Sequence, residues 1–182
     1  MLLSDIELRA EVDAGRLVFD PHLPDRAYQS ASIDLSLNRF FWRPARLQDQ
    51  QAREAVDIGQ AEAYRFLEKI EVDEIEMDPG DFLLGETAEA MTIPQHLAGW
   101  IEGKSGLARH GLIVHCTAPH IAPGWGTPRP KAITLELVNL GKANVRLRAG
   151  IGIAQLLVMR LGSPSLTQYK GKHLARGSDV PP

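Results

Sequence analysis

Lys104, Ser105, Gly106 and Arg109 fall within one short stretch, Gly103-Lys104-Ser105-Gly106-Leu107-Ala108-Arg109. An ammonium, a hydroxyl, a pliable backbone and a guanidinium are the groups that hold phosphate oxygens. Arg109 follows Ser105 by four residues, so a helical turn would set both on one face. The spacing is not that of a P-loop, because the first glycine of G-x-x-x-x-G-K-[ST] would have to stand where Ala98 does. A solvated basic turn is the other reading of the same residues. Farther along, Glu136 interrupts the apolar run Ala132-Ile133-Thr134-Leu135-Glu136-Leu137-Val138. Strand alternation puts Ile133, Leu135 and Leu137 on one face and Thr134, Glu136 and Val138 on the other. A carboxylate there needs water, a partner or a reaction. Lining a cleft, it is a candidate proton shuttle; on an outer face it is simply solvated.

Other chemistries fit the chain less well. The six histidines (His22, His96, His110, His115, His120 and His173) form no H-E-x-x-H pair, and no metal site is expected from them. Zinc-dependent deamination uses H-x-E with P-C-x-x-C, which the single cysteine, Cys116, cannot complete. Ser105, His115 and Asp34 are the types of a nucleophilic triad, but no G-x-S-x-G elbow accompanies them. Trp125, beside Pro123-Gly124, is the one aromatic residue expected near a site.

The elements that would carry these residues read as mostly β. Ser4 and Glu7 form a capping box for a short first helix with Ile6, Leu8 and Val12 as its apolar stripe, stopped at Gly15. Leu17-Val18-Phe19 and the alternating Ser32–Leu37 read as strands. Asp78-Pro79-Gly80-Asp81 reads as a tight turn, after which Phe82-Leu83-Leu84 restarts a strand. Further strands are expected at 89–93, 98–102, 111–117, 132–139, 144–148 and 152–160, punctuated by Pro94, Gly103, Pro123, Gly141 and Gly150. Many short strands with frequent turns argue for a barrel or jelly roll. Residues 46–63, rich in Gln, Ala, Arg and Glu, read as a surface loop.

A chain of 182 residues, 44% hydrophobic, suits one domain with a real core. The expected domain is 1–165, followed by an arm over 166–182. The arm, with Tyr169-Lys170-Gly171-Lys172-His173 and Arg176-Gly177-Ser178, reads either as a frayed terminus or as a flap over an anionic ligand. A formal charge of −3 gives no basic field, so no nucleic-acid partner is expected. No membrane span or leader is legible, and a cytoplasmic protein is the expectation.

Several motifs together resemble the dCTP deaminase family of dUTPase-like nucleotide enzymes. They are Met1-Leu2-Leu3-Ser4-Asp5 with Gly15-Arg16-Leu17, Ser30-Ala31-Ser32-Ile33-Asp34-Leu35, Asp78-Pro79-Gly80, Gly103-Lys104-Ser105-Gly106, the Ile121-Ala122-Pro123-Gly124 turn, and Arg148-Ala149-Gly150 with Ile153-Ala154-Gln155-Leu156. The resemblance implies a distorted jelly-roll subunit in a homotrimer with sites between neighbouring chains. It implies a Mg²⁺-chelated deoxynucleoside triphosphate as ligand, and zinc-independent deamination of dCTP to dUTP in pyrimidine deoxynucleotide metabolism. Some relatives continue to dUMP and pyrophosphate, and a bifunctional enzyme of that kind is the alternative.

Carried over, Lys104, Ser105 and Arg109 would hold phosphates and water, Gly106 stands where serine is usual, and Thr117 and Ala118 would offer backbone groups to the base. Glu136 would shuttle the proton; Trp125, Gln155 and Lys172 complete the expected substrate contacts. Three departures accompany the match. Ala122 replaces the aspartate of I-D-P-G, the 126–131 loop is enlarged, and the family's K-Y-x-x-Q arm is faint. These departures motivate a second alternative, a trimeric nucleotide-binding module without turnover.

Overall fold

The computed structural model describes residues 1–44, 57, 67–167 and 169. The stretch 46–63, apart from Asp57, lies outside them, as does the arm apart from Leu166, Thr167 and Tyr169. Helix α1 (Asp5–Asp13) starts as its capping box requires. The Glu7 amide donates to Ser4 Oγ at 3.5 Å, and the Ser4 amide donates to Glu7 Oε2 at 3.0 Å. Leu8 faces the core, and so does Glu11.

Strands follow in chain order: β1 (Val18–Asp20), β2 (Tyr28–Gln29), β3 (Ser32–Pro44), β4 (Leu67–Glu71), β5 (Glu74–Met77), β6 (Phe82–Thr92) and β7 (Leu97–Gly103). A single helical turn, α2 (Ser105–Ala108), precedes β8 (Leu112–Ile113), β9 (His120–Ile121), β10 (Lys131–Asn139), β11 (Val145–Arg148) and β12 (Gly152–Arg160). The main sheet runs β8-β10-β6-β3-β12-β7-β9, with β1 on β6 and both β2 and β4 on β3; β11 and β5 form a separate pair. It is a mainly β, curled, distorted jelly-roll architecture with a short N-terminal helix, as expected.

Its inner face packs Ile33, Leu35, Leu37, Phe41, Leu135, Leu137, Ile153 and Leu156 into one buried cluster. Removing such side chains from water at roughly 25 cal/mol per Å² is the main stabilising term. Gly85 on β6 leaves room for them: a Cβ there would stand 3.0 Å from Leu137 Cδ1.

Two sequence expectations change. Residues 82–84 and 89–93 are not separate strands but one, β6. Buried Thr87 and Glu89 interrupt the apolar pattern, yet each serves a backbone donor of a neighbouring strand. The Ile133 amide, at a register shift in β10, donates to Thr87 Oγ1 at 3.0 Å. The Ser36 amide donates to Glu89 Oε2 at 2.8 Å. The strand expected over 111–117 is reduced to β8, because the chain beyond it gives an amide to a side chain instead of to a ladder. Gly111, at φ +88, abuts the backbone of Leu140 and Gly141 too closely for any Cβ, and this fixes α2 against the end of β10.

Candidate functional site

Lys104 leaves the end of β7, whose last residue, Gly103, pairs with Ala154 of β12. The Arg109 amide closes onto the Ser105 carbonyl at 3.2 Å, so Ser105 and Arg109 do sit one helical turn apart. Lys104, Ser105 and Gly106 line a cleft of about 610 Å³ together with Gln155 and Asp34. Asp34 and Gln155 are Cα partners across β3 and β12, so strand register fixes both at the cleft wall. Lys104 Nζ lies 2.6 Å from Asp34 Oδ2. Gln29 Nε2 donates to the same oxygen at 3.3 Å, while Asp34 Oδ1 is buried without a hydrogen-bond partner.

The remaining candidates lie outside the lining of this cleft. Glu136 projects from the middle of β10, half-buried, and accepts the Cys116 amide at 2.6 Å on Oε2. Its own amide donates to the Val114 carbonyl at 3.1 Å. Thr117 follows with φ +78, the only non-glycine residue at positive φ among the described residues. A β-branched side chain in that region stores strain of order 1–3 kcal/mol. Thr117 and Ala118 are exposed.

Trp125 is positioned by the 122–125 turn, its amide donating to the Ala122 carbonyl at 3.1 Å and its carbonyl accepting the Ile93 amide at 2.9 Å. Gly126 next to it, at φ +69, is pressed against the Met91 carbonyl, where no other residue fits. Tyr169 packs on Trp125 with ring centroids 5.3 Å apart.

Within one chain, therefore, only part of the candidate set shares the cleft. Lys104, Ser105, Gly106 and Gln155 share the cleft; Glu136, Arg109, Thr117, Ala118 and Trp125 do not line it. Val114, buried, adjoins both Gly103 of the cleft and Glu136. It lies 3.5 Å from where a Cβ on Gly103 would be, and it supplies the carbonyl that holds the Glu136 amide. Lys172 lies outside the described residues.

The triad types do not assemble, since Asp34 is engaged by Lys104, and His115 Nε2 faces Glu102 Oε2 at 3.5 Å. Sequence reasoning missed the Asp34–Lys104 pair, the Cys116 amide and the Tyr169 stack. Of these, only Asp34 had a signal, its place in the alternating Ser32–Leu37 strand. It also missed Glu86, which lies opposite Thr134 and so faces outward with Glu136. Burial pushes the Glu86 carboxyl up to about 7, against the lowering effect of Lys69; Asn38 Nδ2 donates to it at 2.9 Å. Among the described residues, no group of three or more His, Cys, Asp or Glu could hold a metal ion, and no helix is long and apolar enough to cross a membrane.

This architecture is that of the dUTPase-like β proteins. The chain superposes on the crystal structure of 2'-deoxycytidine 5'-triphosphate deaminase from Agrobacterium tumefaciens with a TM-score of 0.64 at 18% identity, covering 86% of this chain and 47% of that one. It thus spans about half the length of that solved chain. A dUTPase from phage phi11 of S. aureus matches with a TM-score of 0.51 at 14% identity, over 87% of this chain and 98% of that one.

The family model for dCTP deaminase-like proteins matches residues 2–161, and the chain belongs to that family. It is 40% identical over 179 residues to a protein of Clavibacter michiganensis subsp. michiganensis named "dCTP deaminase, dUMP-forming", covering 97% of this chain and 85% of the relative. A Streptomyces avermitilis protein of the same name is 39% identical over 171 residues, covering 93% and 85%.

Proposed function

We propose that this chain is a cytoplasmic enzyme that deaminates dCTP and carries the product through to dUMP. The first expectation, dUTP as end product, yields here to the bifunctional alternative, because the relatives about 40% identical to this chain are named as dUMP-forming. The observation that carries the reading is the Glu136 carboxylate, half-buried and held by the Cys116 amide beside the strained backbone of Thr117. A base fixed in orientation next to the exposed Thr117 and Ala118 suits proton transfer at a bound ring.

In the reaction, Glu136 takes a proton from water as the water oxygen bonds to C4 of cytosine. It delivers that proton to N3 and then carries the proton of the new C4 hydroxyl to the amino nitrogen; the C4–N bond breaks, C4 becomes a carbonyl, and ammonia and dUTP result. A second water attacks the α-phosphorus of dUTP, the bond to the bridging oxygen breaks, and dUMP and pyrophosphate leave. Mg²⁺ enters as part of the chelated triphosphate substrate. Lys104, Ser105, Arg109 and the Gly106 backbone would hold phosphates and water, Gln155 the cleft wall, Thr117 and Ala118 the base, and Trp125 the flank. Lys172 and the arm beyond 165 would close over the ligand. The zinc-free reading rests on the single cysteine, which cannot complete a P-C-x-x-C site.

Because Lys104, Ser105 and Gly106 line a cleft that Glu136 and Arg109 do not, we read the working site as shared between copies in a homotrimer. Ala122 has no carboxylate for a sugar hydroxyl, which favours a second reading, a nucleotide-binding module. Incubation with Mg²⁺ and dCTP separates the two: the enzyme releases ammonia and dUMP, the module binds nucleotide and releases neither.

A further inference from the structure

The cleft read above as a phosphate site has a carboxylate in its wall, a poor choice if its only task were to attract anions. Lys104 does not reach out to the solvent. Its stem lies over Gly152, where a methyl would touch Cδ, Cε and Nζ at 3.7–3.8 Å, and its ammonium meets Asp34 Oδ2 at 2.6 Å. Asp34 cannot drift away to accommodate a ligand, because it sits within β3 in register with Gln155 and is tethered by Gln29. Its other oxygen, Oδ1, is buried and unpartnered, so the carboxylate is incompletely satisfied even with the lysine present. Both side chains are mostly withdrawn from solvent, at 31% and 25% exposure, which keeps the pair from being screened away.

We propose that Asp34 is a positioning residue that exchanges Lys104 with the phosphates of the nucleotide: it holds the ammonium when the cleft is empty and takes it back when the polyphosphate leaves. The inference rests on the nucleotide reading of the cleft. An anion that binds must draw Lys104 from Asp34 and sit beside a fixed negative charge, so its affinity is held down. Release is favoured in return, because the departing ammonium has a ready partner. A cleft that must discharge pyrophosphate after each turnover gains from this arrangement.

The test is calorimetric titration of inorganic tripolyphosphate, a probe with no base or sugar, into the full chain. Asp34→Asn, nearly the same shape without the charge, binds the probe about tenfold more tightly. Lys104→Met binds it more weakly, and in that background the gain from Asp34→Asn shrinks. In turnover of dCTP, Asp34→Asn lowers KM and kcat together, whereas a merely structural loss would lower kcat without tighter binding. In the wild type, the Asp34 carboxyl carbon resonance shifts on saturation with tripolyphosphate, a readout that does not depend on any variant folding.

Weakening by Lys104→Met with no gain from Asp34→Asn overturns the exchange but keeps the phosphate cleft. An unmoved Asp34 resonance at saturation does the same. Tripolyphosphate binding that ignores both residues overturns the cleft reading and the exchange together.

Discussion

Thr117 stands at φ +78, where a threonine belongs only if its surroundings hold it. The residue before it gives its amide to the carboxylate of Glu136, so the strained peptide and the proposed base are one unit. Thr117→Gly removes the Cβ clash at the cost of a looser unfolded chain, with a net gain of about 1 kcal/mol in unfolding free energy. The same change lets the backbone wander and lowers kcat by about tenfold or more. Thermal denaturation beside steady-state kinetics checks both halves; a more stable variant with undiminished kcat would mean the strain serves nothing in turnover. Lys104, Ser105 and Arg109 were legible in the sequence because their types and spacing are local. The Asp34 partner of Lys104 and the turn at Thr117 were not, since one depends on contact across distant strands and the other contradicts the residue's own preference.

Helix α1 is held to the sheet through Glu11, only 3% exposed. Its carboxylate accepts from Arg16 at 2.7 Å, from Arg160 at the end of β12 at 3.1 Å, and faces His96 Nε2 at 3.0 Å. Burial alone would raise its pKa, but the bonds from Arg16, His96 and Arg160 outweigh that and lower it from 4.5 to about 2. A carboxylate with a depressed folded pKa stabilises fully above its unfolded value, and that contribution is lost as pH falls through the folded value.

Glu11→Gln therefore costs about 3 kcal/mol near neutrality. In denaturant unfolding, the gap between wild type and variant stays constant above pH 4.5 and closes as pH falls toward about 2. A gap that widens in acid would contradict the sign. Element boundaries were legible where punctuation was strong, as at the Ser4 cap and the Asp78–Asp81 turn, where the Asp81 amide donates to the Asp78 carbonyl at 3.0 Å. They were missed where polar residues are buried for backbone partners, as Thr87 and Glu89 are in β6.

At the scale of the molecule, the fold was legible because many motifs, each weak alone, agree on one sheet. A site divided between neighbouring chains was an expectation of the family resemblance alone, since the strand order, β8-β10-β6-β3-β12-β7-β9, is not something that sequence spacing reveals. Shared sites make a testable demand. Lys104→Met and Glu136→Gln, each inactive alone, regain activity when unfolded together and refolded as mixed trimers. With random assembly, about a quarter of the interfaces pair an intact Lys104 with an intact Glu136, so about a quarter of wild-type turnover returns. No recovery from mixed trimers would place both residues in the same chain's site.

The most direct test of the central claim is product analysis of Mg²⁺-dCTP turnover by wild type and Glu136→Gln, with ammonia, dUMP and pyrophosphate followed together. The account predicts one ammonia and one pyrophosphate for each dUMP from the wild type. It predicts ammonia release lower by a factor of about 10² to 10⁴ in Glu136→Gln, with dCTP binding retained. Undiminished ammonia release from the variant, or dCTP bound and unchanged by the wild type, would contradict it.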